Sequence, residues 1–192
     1  SGHPFTSYAA EVRQLVKKPL SALAASRDTV TLAGVAVSLR TQMTRRGKMV
    51  VILLDDASAQ VEVVVFNEAF EAAKHLIRED AVLIIEGKAQ EDNYSGGLRV
   101  TADHLYDLAG ARTRYAQRLK LVCNGQSGGQ RLADLLGPYR TDDDGCPVTV
   151  DYHNARARCE VKLGIDWRVR LDDRLLETLA EWLAPDAVRV EY

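Results

Sequence analysis

The sequence has too little cysteine for a disulfide framework. Its three cysteines lie far apart, with no C-x-x-C and no paired histidines nearby, so a zinc site is not indicated either: Cys123, Cys146 and Cys159. We expect all three to be reduced core residues. No run of 18 apolar residues is present, and the first residues lack the basic and then apolar regions of a secretory signal. The sequence therefore predicts a soluble, cytoplasmic chain with no membrane contact.

Catalytic motifs are also missing. The sequence contains neither G-x-x-x-x-G-K-[ST] nor G-x-G-x-x-G, and no serine or cysteine nucleophile stands at an elbow motif. The acidic run 142–144, flanked by glycine and proline, is more typical of a solvated loop than of a cation site. The four histidines are scattered along the chain: His3, His75, His104 and His153. We predict no catalytic residue, no metal site and no cofactor.

An excess of positive charge is absent as well. The formal net charge is -2, so any affinity for nucleic acid must come from a local patch. What the chain does have is a globular composition, with 46% hydrophobic and 27% charged residues. Residues 1–28 are predicted to hold a short helix between Thr6 and Val16, with Thr6 or Ser7 as N-cap, and a connecting segment.

From Thr29 the pattern changes to strands rich in β-branched residues. TVTLAGVAVSLRTQMT, MVVILLDD and AQVEVVVF precede a short helix that has Asn67 as its predicted N-cap, and AVLIIEGKAQED and GLRVTADHLYDL follow. Three strands, a helix and two strands is the order of an OB-fold, a five-stranded barrel that we assign to residues 29–108. Gly34 and Gly87 suit positions where such a barrel bends sharply.

In an OB-fold, oligonucleotides lie across strands two and three, between the first-to-second and fourth-to-fifth loops. The first of these loops carries Arg45, Arg46 and Lys48, and the second carries Tyr94, with Arg99 just after it. Cations attract backbone phosphates and an aromatic ring can stack on a base, so these five residues are the predicted DNA contacts. A solvated hairpin turn and a tyrosine that only anchors its loop explain the same residues equally well.

The barrel segment is acidic outside that turn. Residues 29–107 hold eight Lys or Arg against twelve Asp or Glu. Strands two and three also offer no evident exposed aromatic residue, since we expect Phe66 to be core. Any DNA binding should therefore be weak and strongly salt-dependent.

After a linking helix at 109–117, residues 118–192 are predicted to form a small α+β domain of order βαβββαβ. RLKLVCN, CPVTVDY, ARCEVKLG, WRVRL and AVRVEY are its predicted strands, and QRLADLLGPY and DRLLETLAEWLA its helices. Asp172 or Asp173 is placed as the cap of the second helix, and Pro185 ends it. The complete fold class is thus mainly β with α+β: a short amino-terminal helix, an OB-fold barrel and a small α+β domain.

The chained segments resemble a known family. SGHPF, VTLAGVAVSLRTQMTRRGK, ILLDDASAQVEVVVF, LIIEGKAQEDNYSGGLRVTA and ARARCEVKLGIDWRVRLDDRLLETL together are similar to the carboxy-terminal region of the bacterial replicative DNA polymerase III alpha subunit. The resemblance covers essentially all 192 residues. It implies a non-catalytic fragment of a DNA-directed DNA polymerase, a nucleotidyltransferase whose palm carboxylates lie upstream of the matched part.

The resemblance also implies partners. The OB-fold of this family is associated with single-stranded template DNA, and the last domain with the tau subunit of the clamp loader, which links the polymerase to other replisome subunits. The DNA role falls on the five residues of the two loops. The tau role falls on the segment between the two tryptophans and on the terminal strand: Trp167, Arg168, Arg174, Trp182, Val190 and Tyr192.

Two alternatives remain open at this point. An anticodon-binding module of an aminoacyl-tRNA synthetase would favour exposed aromatic residues on strands two and three and a downstream catalytic domain. A purely protein-docking platform would bind no nucleic acid, and the acidic barrel is consistent with it. The second alternative predicts that charge reversal of the turn 45–48 leaves DNA affinity unchanged.

Overall fold

The computed structural model describes residues 8–45, 47–92, 96–125, 128–142 and 144–192. The chain divides into two compact units, the first ending at Leu108 and the second beginning at Ala109. No helix within the described ranges is long and apolar enough to cross a bilayer.

The first unit is a closed five-stranded barrel, which confirms the OB-fold prediction. Neighbouring strands follow the order β1-β2-β3-β5-β4, and β4 returns to β1. Only the β3–β5 pairing is parallel among the described strand pairs of this barrel. The strands are β1 Val30–Thr44, β2 Gly47–Asp55, β3 Gln60–Phe66, β4 Val82–Glu91 and β5 Leu98–Tyr106.

Strand alternation sets the core of the barrel. In the β1–β2–β3 register, Leu39 lies opposite Ile52, and Ile52 lies opposite Val63. Ile52 and Val63 have no exposed surface, and they pack with Leu54 and Ile85 from other inward positions. Because successive side chains point to opposite faces, a slip of one residue would turn this whole set outward.

Two helices flank the barrel strands, and the start of the second differs from the prediction. The first, α1, covers Ala9–Leu15, and Tyr8 precedes it as N-cap without a side-chain hydrogen bond. The predicted caps at residues 6 and 7 lie outside the described residues. The second, α2, covers Asn67–Ala73, and its N-cap is Phe66. The prediction of Asn67 as N-cap was wrong because β3 runs directly into the helix without an intervening loop residue.

Gly87 sits at a bulge, as predicted. The β4–β5 register shifts between Glu86 and Gly87, and a Cβ at Gly87 would lie 2.2 Å from the carbonyl oxygen of Thr101. Gly34 has a different role, since the irregularity in β1 falls between Ala36 and Ser38. At Gly34 the strands approach closely instead, because a Cβ there would lie 2.8 Å from a backbone oxygen of β2.

The second unit is a four-stranded sheet of order β8-β7-β6-β9, with β6 and β7 parallel. One predicted strand is wrong: residues 165–167 form a 3-10 turn, and Val169 makes only isolated bridges to Arg140 and Cys146. The elements are α3 Leu108–Tyr115, β6 Arg118–Asn124, α4 Gly129–Leu136, β7 Val148–His153, β8 Arg158–Lys162, α5 Asp173–Leu183 and β9 Val188–Glu191.

Helices α4 and α5 cover one face of this sheet. Leu136, Leu175 and Leu179 are fully buried against strand residues such as Leu119 and Leu121. The side chain of Asp172 accepts a hydrogen bond from the backbone N–H of Arg174, which confirms the predicted cap of α5. Without the fourth predicted strand the order is βαββαβ, since the 165–171 segment forms a 3-10 turn and isolated bridges and no ladder.

The three cysteines are not alike. Cys123 and Cys146 are buried, and burial raises the pKa of the Cys146 thiol to about 11. Cys159 is exposed on β8, so the expectation that all three are core residues was wrong for this one. The reason is that β8 is an edge strand in which all five residues are exposed.

Candidate functional site

An open groove lies on the outer face of β1, β2, β3 and β5. Its volume is about 630 Å³, and its floor is formed by Val51, Leu53 and Val64. Val51 and Val64 are 7% and 4% exposed, although they point away from the barrel core. The groove thus has an apolar floor, and its polar and charged residues come from strand positions on either side of it.

The sheet register arranges the groove residues in rows. Gln42 lies opposite Met49, and Met49 lies opposite Phe66. In the row two residues further along β2, Arg40 lies opposite Val51. A third row places Glu62 between a leucine of β2 and Arg99 of β5. Residues that are far apart in the chain therefore meet on one surface.

Phe66 is exposed, which corrects its expected place in the core. Its side chain is 40% exposed and lines the groove at the end nearest the β1–β2 turn. The signal was present in the sequence: Val61, Val63 and Val65 point inward, so alternation along β3 turns Glu62 and Phe66 outward. An exposed aromatic ring on the third strand can stack on a base.

Two arginines flank one acid in this groove. Arg40 Nη2 contacts Glu62 Oε1, and Arg99 Nη2 lies 3.3 Å from Glu62 Oε2. Arg99 also lies 3.4 Å from a carboxylate oxygen of Asp92, whose side chain is 8% exposed. Arg99 was predicted to contact DNA and lies in the groove. Arg40 was missed, since nothing local marks it out from other strand residues.

The two described cations of the predicted turn, Arg45 and Lys48, differ in their surroundings. Arg45 is exposed at the β1–β2 turn and is not among the described residues that line the groove. Lys48 Nζ lies 4.1 Å from the centre of the Phe70 ring, so this cation points toward α2. Arg46 and Tyr94, the remaining predicted contacts, lie outside the described residues.

The predicted partner residues of the second unit fall into two groups. Trp167, Trp182 and Val190 are half-buried and pack against the core of the sheet. Arg140 and Arg131 lie over the two tryptophan rings, with the guanidinium carbon 4.9 Å and 5.4 Å from the respective ring centre. These two cation–π contacts stabilise the unit's own fold.

The other three differ in exposure. Arg168 donates a hydrogen bond to the carbonyl oxygen of Gly145 at 3.3 Å, which holds the segment before α5. Arg174 is exposed in the first turn of α5. Tyr192 is half-buried beyond the end of β9. Of the six predicted partner residues, Trp167 and Arg168 are adjacent in the chain, Arg174 and Trp182 lie on α5, and Val190 and Tyr192 lie on and just beyond β9.

Within the described part of the chain, no group of three or more His, Cys, Asp or Glu side chains is arranged to hold a metal ion. The acidic run at 142–144 is only partly covered by this finding, since Asp143 lies outside the described residues. His104 and His153 lie on β5 and β7, and His75 lies in the turn that follows α2.

Two family descriptions match the chain. Residues 30–108 match an OB-fold nucleic acid binding domain, and residues 131–183 match the DNA polymerase III subunit alpha, C-terminal domain.

Similar proteins extend the match to the full length of the chain. DNA polymerase III subunit alpha of Pseudomonas aeruginosa is 36% identical over 194 aligned residues, covering 100% of this chain and 16% of the relative. The subunits of Neisseria meningitidis serogroup A and Escherichia coli K12 are 36% and 32% identical, again over 100% of this chain and 17% of each relative. The chain therefore spans about a sixth of the length of these relatives.

Proposed function

The chain belongs to the DNA polymerase III alpha-subunit family, as a counterpart of its carboxy-terminal region, and on that premise we propose that the barrel contacts single-stranded template DNA. The observation that carries the proposal is the exposed Phe66 ring on β3, in a groove that also holds Arg40 and Arg99. Bases stack on the ring while the arginines attract the backbone phosphates, which is the usual combination in single-strand binding.

The charge balance of the groove indicates weak binding. Glu62 engages both Arg40 and Arg99, so a phosphate must compete with a carboxylate for each guanidinium. Arg45 does not line the groove, but it is exposed at the β1–β2 turn, near the end of the groove where Phe66 lies. In this proposal Arg45 adds one more phosphate contact there. Affinity therefore falls steeply with salt, as expected for phosphate contacts.

For the second unit we propose docking of the tau subunit of the clamp loader, which connects the parent polymerase to other replisome subunits. The match of residues 131–183 to the family's C-terminal domain supports this assignment. Ile165 is 64% exposed next to Trp167, and Val161 on the edge strand β8 is 45% exposed. In this proposal the polymerase chemistry belongs to other parts of the parent, and the chain itself is non-catalytic.

The DNA proposal is tested by fluorescence anisotropy of a labelled single-stranded oligonucleotide at low and physiological salt. Phe66→Ala is expected to weaken binding by about 1–3 kcal/mol, or about 5- to 160-fold. Tyr8→Ala is the matched control, because Tyr8 is 43% exposed but lies outside the groove. A combined change of Arg45, Arg46 and Lys48 to alanine tests the turn separately.

The outcomes distinguish the proposal from a protein-docking platform. Binding that weakens with salt and falls with Phe66→Ala supports the groove. Absence of binding at low salt, or equal affinity of the Phe66→Ala and Tyr8→Ala chains, would refute it and favour docking alone.

The tau proposal has its own measurement. Immobilised tau subunit is expected to bind the chain in a biosensor assay, and Ile165→Asp is expected to weaken that binding. Met43→Asp is the control, since Met43 is 81% exposed but lies on the barrel. If tau does not bind the unmodified chain, the docking assignment is wrong whatever the DNA result.

A further inference from the structure

The second sheet has one covered and one open face. Leu119, Leu121 and Val150 point toward helices α4 and α5 and belong to the buried core. By alternation, the residues between them point to the opposite face. The register places Lys120 of β6 beside Thr149 of β7 and Arg189 of β9 on this side. On this side Arg189 is exposed, Lys120 is half-buried and Thr149 is 3% exposed.

This open face holds a shallow concavity of about 630 Å³ with an unusual charge balance. Its charged and titratable lining is Lys120, Asp151, His153, Arg156, Arg158 and Arg189. Within this lining four permanent cations thus surround one acid, and the two further acids on this face, Glu160 and Glu191, are paired with Arg118. In a chain whose formal net charge is -2, this is a local patch of the sign opposite to the whole.

Asp151 organises the cations of the lining and does not neutralise them. Asp151 is 4% exposed, and its carboxylate accepts hydrogen bonds from Arg158 at 2.7 Å and 3.2 Å. Lys120 Nζ lies 3.8 Å from the same carboxylate. The hydrogen bonds from Arg158 keep the pKa of Asp151 below its ordinary value, so it stays ionised. One buried charge therefore holds two cations in fixed positions.

The other two arginines complete the surface. Arg156 and Arg189 are exposed, and neither forms an ion pair with a described residue. Arg189 Nε donates to the carbonyl oxygen of Asp186 at 3.1 Å, which orients its guanidinium. Asn154 Oδ1 accepts from the backbone N–H of Arg156 at 2.8 Å, which fixes the β7–β8 turn. Both arginines are thus available to an anion.

We propose that this cationic face, on the second unit and separate from the barrel groove, binds the phosphate backbone of a single-stranded nucleic acid. Guanidinium groups present a planar fork that suits phosphate oxygens. The lining offers only Val122 and Ala157 as apolar residues and no aromatic anchor other than a histidine. Protein interfaces depend on buried aromatic or aliphatic anchors, so a polyanionic strand fits this surface better than a folded partner.

The test uses the 192-residue chain in a background in which the groove is disabled by Arg40→Ala and Phe66→Ala. Anisotropy of a labelled oligothymidylate is measured against salt with and without Arg156→Glu and Arg189→Glu. The matched control is Arg78→Glu with Arg174→Glu, since both residues are exposed, neither lines the groove or the concavity, and the net charge changes equally.

In the groove-disabled background, residual salt-dependent binding is expected. The salt slope is the slope of the logarithm of the binding constant against the logarithm of the salt concentration, and each phosphate contact contributes about 0.7 to its magnitude. The double variant Arg156→Glu, Arg189→Glu should lower this magnitude by about 1.4. The control pair should leave it unchanged. Equal slopes in both pairs, or no residual binding in the background, would overturn the inference without affecting the proposal for the groove.

A second arm separates the two classes of polyanion. Poly-glutamate of matched charge is added as a competitor in the same background. If poly-glutamate competes only weakly with the labelled oligothymidylate, the result supports a phosphate-binding site on the cationic face. Displacement at the same charge concentration as unlabelled oligothymidylate would show a general acidic-chain site and would overturn the assignment to nucleic acid.

Discussion

Replacing Glu62 by glutamine is expected to tighten the binding of single-stranded DNA. Glu62 is the acid between Arg40 and Arg99 in the groove, and its side chain is 33% exposed. A neutral amide of the same shape keeps the β3 side-chain packing but no longer competes with phosphate for the two guanidinium groups. A conservative change that improves binding is a sharper test than one that removes it, because misfolding does not mimic it.

The size of the effect follows from the two ion pairs. The Arg40 and Arg99 side chains are 60% and 43% exposed, so each pair with Glu62 contributes only about 0.2–1 kcal/mol. Releasing both cations for phosphate would gain about 0.4–2 kcal/mol, which is about 2- to 30-fold in affinity. The lower half of this range is expected, because Arg99 keeps a second acidic partner, Asp92, at 3.4 Å.

The assay is anisotropy of a labelled single-stranded oligonucleotide over a range of salt concentrations. Glu79→Gln is the control, since Glu79 is an exposed acid between α2 and β4 and does not line the groove. The Glu62→Gln chain should bind more tightly, and its salt slope should steepen by about 0.7 for one added phosphate contact. Unchanged affinity, or tightening equal to that of the control, would show that nucleic acid does not occupy the groove.

Three further predictions concern folding and reactivity. Gly87→Ala should lower the free energy of unfolding in urea by about 1–3 kcal/mol, because its Cβ meets backbone at 2.2 Å, whereas Gly164→Ala, with open space around it, should change little. Cys159 should react with a thiol reagent at pH 8 in the folded chain, whereas Cys146, whose pKa burial raises to about 11, should react only after unfolding. Burial alone would raise the pKa of Asp56, but hydrogen bonds from Ser58, Leu20 and Ala59 outweigh it and lower that pKa below 3.8. Asp56→Asn should therefore lower the free energy of unfolding in urea by about 1–2 kcal/mol near neutral pH. This loss should shrink as the pH falls through the lowered pKa of Asp56, because the carboxylate of the unmodified chain is then protonated. Labelling of Cys146 at the rate of Cys159, or an Asp56→Asn deficit that grows in acid, would contradict these assignments.

Much of the architecture was readable from the sequence because its causes are local. Alternating β-branched residues marked the five barrel strands, and the cap at Asp172 marked the start of α5. Gly87 was correctly placed at a bend. The prediction of a strand at 167–171 was wrong because local preference is not sufficient. The residues of this segment favour a strand, but only Val169 forms bridges, and these are isolated. Propensity without a neighbouring strand does not make a ladder.

The candidate site depended on contacts between distant residues. Arg40, Glu62 and Arg99 meet only because the β1–β2, β2–β3 and β3–β5 registers bring them to one face. Lys48 was predicted to serve the same surface, but the nearby ring of Phe70 draws it toward α2. Neither outcome follows from the order of residues along the chain.

The sequence by itself determined which segments become strands and helices, and its resemblance to a family was carried by the order of those segments. The tertiary structure alone decided which cations share a surface and which are held by acids, in the groove around Glu62 and on the open face around Asp151. The physical reason is the distance along the chain over which each effect acts. Alternation and capping act over a few residues, whereas the position of a charged side chain is set by strand register and by partners that lie far away in the chain.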